Sequence, residues 1–164
     1  GDTLKEIGTM LHNAPDVLAA LRKSIEENAE LRRQAEEYMK ERTAMMVSKL
    51  LDNAGDINGI KIVEMRGVSM ADMVKNVAFG VRAASPENTA FIGATIDIKN
   101  KPLLTVMLTN DLVESGLNAS KIVREAAKAI KGGGGGQPGF AQAGGKDADG
   151  LYAAMEELKR QLLK

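Results

Sequence analysis

The run Gly132 to Gly136, continued by Gln137-Pro138-Gly139-Phe140-Ala141-Gln142-Ala143-Gly144-Gly145, constrains this chain more than any other feature. Consecutive glycines carry no Cβ, so their backbone can come close to another surface, and they lose more freedom on ordering than any other residue. Two readings follow. By composition alone such a stretch is a flexible linker. Placed between a basic helix and a capped one, it is instead a glycine-lined loop whose backbone N–H groups face a ligand rich in oxygen, and backbone phosphates fit that description. The flanking segments favour the loop.

Residues 118–131, NASKIVREAAKAIK, set Ala119, Ile122, Val123, Ala126, Ala127 and Ile130 on one apolar side, the spacing of a half-buried helix. Lys121, Arg124, Lys128 and Lys131 fall on the other side, within an arc of about 80° at roughly 100° per residue. A stripe of this kind can track phosphates. Cations near a helix C-terminus also complement the macrodipole, so a purely structural role stands beside that one. After the glycines, Asp147 or Asp149 is placed to cap a last helix reaching residue 163, with Leu151, Ala154, Met155, Leu158 and Leu162 as its apolar stripe. Lys146 stands at its start, so glycine amides, a helix N-terminus and an ammonium are expected to converge on one phosphate.

Two nucleotide motifs fail on inspection. Gly134, Gly136 and Gly139 satisfy G-x-G-x-x-G, yet they follow a helix and enclose Pro138, whereas the dinucleotide motif follows a strand and opens a helix. A P-loop ending at Gly145-Lys146 would need Gly at position 140 and Ser or Thr at 147, where this chain has Phe140 and Asp147.

The 164 residues, 44% of them apolar, suffice for one well-buried domain plus an appendage. No segment has the length and apolarity to cross a membrane, and no cationic start with a hydrophobic run marks a secretory signal. The cytoplasm is the expected compartment, and the absence of cysteine removes disulfides and thiolate chemistry. Gly1 in place of Met suggests a processed or excised piece of a longer chain. Net charge is zero, but residues 1–59 carry 8 basic and 11 acidic groups and the remainder 14 and 11, so the second part is the more basic. That excess allows an RNA-binding surface without requiring one. Aromatic content of 3% argues against an extended base-stacking platform. Phe140, the aromatic within the glycine segment, reads first as a small-core anchor and second as a base-stacking residue.

The N-terminal third reads as helical. Thr3 and Glu6 form a capping-box pattern before Ile7 and Leu11, and Asn13-Ala14-Pro15 interrupts ahead of a long helix over 16–53, with Gly55 just past its end. Leu18, Leu21, Ile25, Leu31, Ala35, Tyr38, Met45 and Met46 recur along it, broken by Asn28, Arg42 and Lys49, as in an incomplete coiled-coil seam. It can pack on a partner chain or on the short first helix. Beyond residue 59 the pattern becomes a strand over 60–65, an amphipathic helix over 69–84, a strand over 89–98, a turn at Asn100-Lys101-Pro102 and a strand over 103–109 forming a hairpin with the one before. Residues 140–143 can add a short edge strand. The expected fold is mixed α/β: a helical arm of residues 1–56, able to dimerise, and a small mixed sheet flanked by helices over 57–164, its first crossover right-handed.

Catalytic chemistry is poorly supplied. His12, the one histidine, stands far along the chain from other candidates, so a Ser-His-Asp triad and a His/Cys zinc site have no basis. Asp97 and Asp111 flank the hairpin strands and could be imagined as a carboxylate pair, but such residues more often close turns. A binding domain fits better than an enzyme.

The segment GGGGGQPGFAQAGG followed by KD and a terminal helix, with ADMVKNVAFGVR and LNASKIVREAAKAIKGGGGG before it, resembles the C-terminal domain of bacterial alanyl-tRNA synthetases. The α/β part also resembles the substrate-binding domain that accompanies DHH-type phosphoesterases. The synthetase resemblance implies a domain that binds the outer corner of tRNA, alanine tRNA above all, helps present its acceptor end to the aminoacylation and editing domains, and dimerises through its arm. ATP, magnesium and zinc would then belong to upstream domains, and this fragment would hold no cofactor. The family commonly has Arg and Asp around the positions of Gln137 and Gly139, so here the charged role passes to Lys121, Arg124, Lys128, Lys131 and Lys146. The resemblance implies RNA contact by these residues together with Gly132, Gly133, Gly134, Gly135, Gly136, Gln137, Phe140, Gln142, Gly144 and Gly145, and dimerisation through Leu18, Leu21, Ile25, Leu31, Tyr38 and Met45. A phosphoesterase substrate domain would need a neighbouring Asp-His-His metal site, which this sequence lacks. A self-association module without RNA affinity is the third reading, supported by the long arm.

Overall fold

The computed structural model describes residues 2–10 and 16–164. Leu11, His12 and the break at Asn13-Ala14-Pro15 lie outside the described residues. The chain divides into two compact units, Gly1–Arg42 and Thr43–Lys164.

The first unit holds α1 (Asp2–Met10) and most of α2 (Val17–Asp52). Thr3 and Glu6 both lie within α1 rather than bracketing its start. Asp16 caps α2, its Oδ1 accepting from the Ala19 N–H at 3.1 Å, which satisfies one of the amides a helix start leaves free. Arg33 bridges Glu30 and Glu37, three residues before it and four after, and its hydrogen bonds hold the Glu30 carboxyl down at about 2.

In the second unit the last turns of α2 pack into the domain: Val47 is buried and Met46, Leu50 and Leu51 are partly so. In sequence these turns fall within the arm of residues 1–56. Their packing partner is α3 (Ala71–Ala84), whose Met73, Val74, Val77, Ala78 and Val81 form a buried helical stripe.

A six-stranded sheet runs in the order β1-β2-β3-β4-β6-β5, from β1 (Gly55–Ile57), β2 (Ile60–Val68), β3 (Thr89–Ile96), β4 (Pro102–Leu108), β5 (Gly133–Gln137) and β6 (Phe140–Gly144). The β2–β3 pair, joined through α3, is parallel and the others are antiparallel. The extra strand β1 comes from Asn58-Gly59, both at positive φ (54° and 83°), the left-handed pair that a two-residue hairpin turn demands. A short helix, α4 (Asn110–Glu114), follows β4.

Period-two alternation sorts the core into two layers. Ile60 and Ile62, Ala90, Ile92 and Ala94, Leu104, Val106 and Leu108, and Ala141 and Ala143 face α5 (Ala119–Ala127) and α6 (Leu151–Leu162). Val63, Met65, Phe91 and Met107 face α3 and the end of α2. With helices on both faces, β3 and β4 read as continuous apolar runs, and burying each large aliphatic contributes roughly 1.5–3 kcal/mol. The expected apolar faces of α5 and α6 are buried as read, except that Leu151 is only partly so.

The glycine segment is the main departure: it is a β-hairpin, not a loop. β6 lies inside the sheet and β5 is its edge. The reason lies in the even-numbered glycines. A Cβ at Gly132, Gly134 or Gly136 would collide with the backbone of β6 at Gly144, Gln142 or Phe140, whereas at Gly133 it would meet nothing within 4 Å. Gly134→Ala is therefore expected to lower unfolding free energy by about 2 kcal/mol or more, and Gly133→Ala to stay within about 0.5 kcal/mol of the parent. Urea unfolding of the two variants checks this; equal losses would contradict the backbone contact.

Candidate nucleic-acid interface

The basic helix is shorter than residues 118–131. Asn118 caps α5 by accepting from Lys121 N–H at 3.2 Å, the helix ends at Ala127, a 3₁₀ turn spans Lys128–Ile130, and Lys131 turns left-handed at φ 52°. That left-handed residue releases the chain toward β5, where Gly132 N–H donates back to Ala127 O at 3.0 Å.

The shortened helix divides the expected stripe. Near its start, Lys121 and Arg124 line a groove of about 560 Å³ with Glu125 and, from the end of α6, Arg160, Gln161 and Lys164. Near its end, Lys128 is tied to Glu125 at 3.0 Å, and Lys131 and Lys146 flank Ile130, whose carbonyl accepts from both Lys146 N–H and Asp147 N–H at 2.9 and 3.0 Å. All four expected cations of residues 121–131 are exposed, as is Lys146.

The expected convergence of amides on a phosphate at Lys146 does not form. The amides of Lys146, Asp147 and Gly145 already serve Ile130 O and Pro102 O. Asp147 caps a 3₁₀ turn, Ala148–Gly150, accepting from Asp149 N–H at 3.1 Å, and that turn leads into α6. Physical economy explains the change: a chain reversal packed against the domain must satisfy its own backbone donors first.

Phe140 and Gln142 stand on the opposite face of the sheet from α5. Phe140 meets Phe79 of α3 with ring centroids 4.8 Å apart, and the Arg82 guanidinium lies 4.8 Å from the centroid of the Phe79 ring. Gln142 donates to Thr105 Oγ1 at 3.1 Å. Alternation along β6 forces this: with Ala141 and Ala143 facing α5, residues 140 and 142 must face α3. Gly133, Gly134, Gly136 and Gln137 are exposed along the β5 edge, Gly132 and Gly144 are exposed at its base, and Gly135 is half-buried beneath α5.

Arg160, Gln161 and Lys164 escape sequence reasoning, because only the antiparallel packing of α6 on α5 brings them beside Lys121 and Arg124. Their signal is the cationic end of the last helix, Lys159-Arg160 and Lys164. Arg160 donates to both carboxylate oxygens of Glu157 at 2.6 and 2.7 Å, which, with a bond from Gln161, holds the Glu157 carboxyl down at about 2. A depressed carboxylate stabilises above its unfolded value of 4.5 and ceases to do so as pH falls toward 2. Glu157 and Arg160 thus remain paired across neutral pH.

Asp97 and Asp111 are not a catalytic pair: they lie at opposite ends of the β3–β4 hairpin. The backbone amides of Lys101 and Lys99 lower Asp97, and Thr109, with the Asn88 amide, lowers Asp111. Both brace turns. Among the described residues no cluster of three or more His, Cys, Asp or Glu could hold a metal ion, and no helix is long and apolar enough to cross a membrane.

The site is thus a glycine-edged sheet that carries, on its α5 face, a groove lined by four cations and Glu125. Residues 70–164 match the DHHA1 domain model, and the chain belongs to that family. Relatives named alanine–tRNA ligase cover it almost completely: those of Bacteroides fragilis (strain YCH46) and Bacteroides thetaiotaomicron are each 50% identical over 157 residues, 96% of this chain and 18% of the relative. The chain thus spans less than a fifth of the length of these relatives. Among solved structures, the C-Ala domain of Aquifex aeolicus alanyl-tRNA synthetase shares the fold at a TM-score of 0.60 and 23% identity, over 68% of this chain and 98% of that one. A solved DHH domain from a family of ribosomal proteins superposes at a TM-score of 0.55 and 12% identity, over 83% of this chain and 33% of that one.

The ring pair decides what Phe140 does. A double-mutant cycle with Phe79→Leu and Phe140→Leu is expected to give a coupling of about 0.5–1.5 kcal/mol in unfolding free energy. Additive losses would leave Phe140 free for another role.

Proposed function

We propose that this chain is the tRNA-binding C-terminal part of a cytoplasmic alanine–tRNA ligase, gripping the outer corner of alanine tRNA so that aminoacylation and editing domains elsewhere in the parent act on one bound molecule. The observation that carries the proposal is the open groove where Lys121, Arg124, Arg160 and Lys164 gather beside a glycine edge strand. Phosphates of a folded RNA can enter such a groove, and the edge offers backbone without side chains in the way. The 50% identity to alanine–tRNA ligases supports the choice of tRNA over other polyanions. In this proposal ATP, magnesium and zinc act in other domains. The gain is one of effective concentration: a tRNA held weakly here meets the remaining binding surfaces as a tethered partner. Shape and phosphate contacts dominate over base readout.

Dimerisation through α2 is the second part of the proposal. Leu18, Ile25, Leu31, Tyr38 and Met45 are each more than 60% exposed, an apolar series that water does not favour, while Leu21 is half-buried.

Affinity for folded tRNA across a salt series tests the proposal. Lys121, Arg124 and Lys164, the groove cations not paired with Glu157, predict a log–log slope of about −2 to −3. Arg160→Glu with Lys121→Glu is expected to abolish binding at moderate salt, and Lys128→Glu with Lys131→Glu to weaken it, with sedimentation leaving the dimer intact in both. A chain that self-associates but binds no tRNA at low salt would leave only the association role.

A further inference from the structure

One polar side chain of α5 is left without a partner. Ser120 is 6% exposed and its Oγ makes no hydrogen bond. An unpaired buried hydroxyl is costly, and alanine would fill the position without that cost. Its surroundings point outward to the edge strand. If Gly135 carried a Cβ, that atom would stand 3.2 Å from Ser120 Oγ, 3.1 Å from Arg124 Nη2 and 3.3 Å from Arg124 Nε. Hydroxyl and guanidinium therefore pack directly on Gly135, and room for a group there opens only when Arg124 moves aside.

Arg124 is held there weakly. Its Nε reaches Gly134 O at 3.4 Å, near the limit of a hydrogen bond, and the residue is exposed. The first amides of α5 are not involved, since Ala119 N–H donates to Pro138 O and Lys121 N–H to Asn118.

We propose that Ser120 Oγ, the Arg124 guanidinium and the outer edge of β5 at Gly134–Gly136 form the seat for one phosphate of the RNA backbone, with Arg124 lying over it as a cover in the free chain. On binding, Arg124 exchanges a long contact with a neutral carbonyl for a forked, charge-assisted one with phosphate oxygens. Its movement uncovers Ser120, whose hydroxyl donates to the same phosphate. The seat rests on the RNA-binding reading above and assigns it a first contact.

Three variants of the whole chain test this. Ser120→Ala removes the hydroxyl while relieving an unpartnered group, so its Tm is expected to hold or rise while tRNA affinity falls about tenfold. Gly135→Ala fills the seat and should cost a similar factor, and Arg124→Lys keeps the charge but loses the fork. Titration of the wild-type chain with inorganic phosphate should move the Arg124 Nε–H resonance, and Gly135→Ala should abolish that shift. If wild type binds tRNA and Ser120→Ala binds it equally well with the Nε–H resonance unmoved, the seat is overturned and the tRNA reading stands. If wild type binds no tRNA, the tRNA reading falls; a phosphate shift lost in Gly135→Ala would still uphold the seat, and an immobile resonance would overturn both.

Discussion

Everything on the α5 face depends on how closely two backbones approach each other. β5 meets β6 at a distance that leaves no room for a Cβ at positions 132, 134 and 136. The same bare strand lets Ser120 and Arg124 settle onto Gly135. Hydrogen bonds then fasten α5 to the hairpin at both ends, through Ala119 N–H to Pro138 O and Gly132 N–H to Ala127 O. With α5 fixed, Ile122, Val123, Ala126 and Ile130 define the surface on which α6 lies, and the position of α6 closes the cationic groove. Glycine is thus a packing element here, and its entropic cost is offset by the helix it allows to dock.

Much of this was legible in the sequence. The stripes of α3, α5 and α6, the β3–β4 hairpin and the parallel pair through α3 follow from periodicity, because each buries one face and the apolar residues record which. Asn58-Gly59 is a hairpin signal as well, but the strand it serves, Gly55–Ile57, is too short to show an alternation of its own. The glycine strand was not legible. A residue without a side chain has no inward or outward face, so alternation, the usual mark of a strand, is blank over Gly133–Gly136. Only Ala141 and Ala143 carried the strand pattern, and they belong to β6.

The candidate surface was half visible for a related reason. Lys121 and Arg124 could be placed on an exposed helix face by counting along one element. Arg160 and Lys164 belong to another element some forty residues on, and no local pattern says that α6 runs antiparallel to α5. Phe140 and Gln142, grouped with the glycines as RNA contacts, lie on the α3 face, where Phe140 serves as the small-core anchor, because alternation along β6 turns them away from Ala141 and Ala143. The free amides expected at Lys146 were lost to Ile130 O, a contact that exists only once the chain has turned back on itself.

The order of the strands leaves β5 with one flank unpaired, and an open edge is where sheet proteins recruit unwanted copies of themselves. Stable stacking of that sort relies on interlocking side chains between sheets, which a glycine strand cannot supply. Pro138 within its turn and the arginine lying on Gly134 further blunt the edge. A bare edge that offers few side chains to interlock can therefore stay in solvent without another strand to cover it.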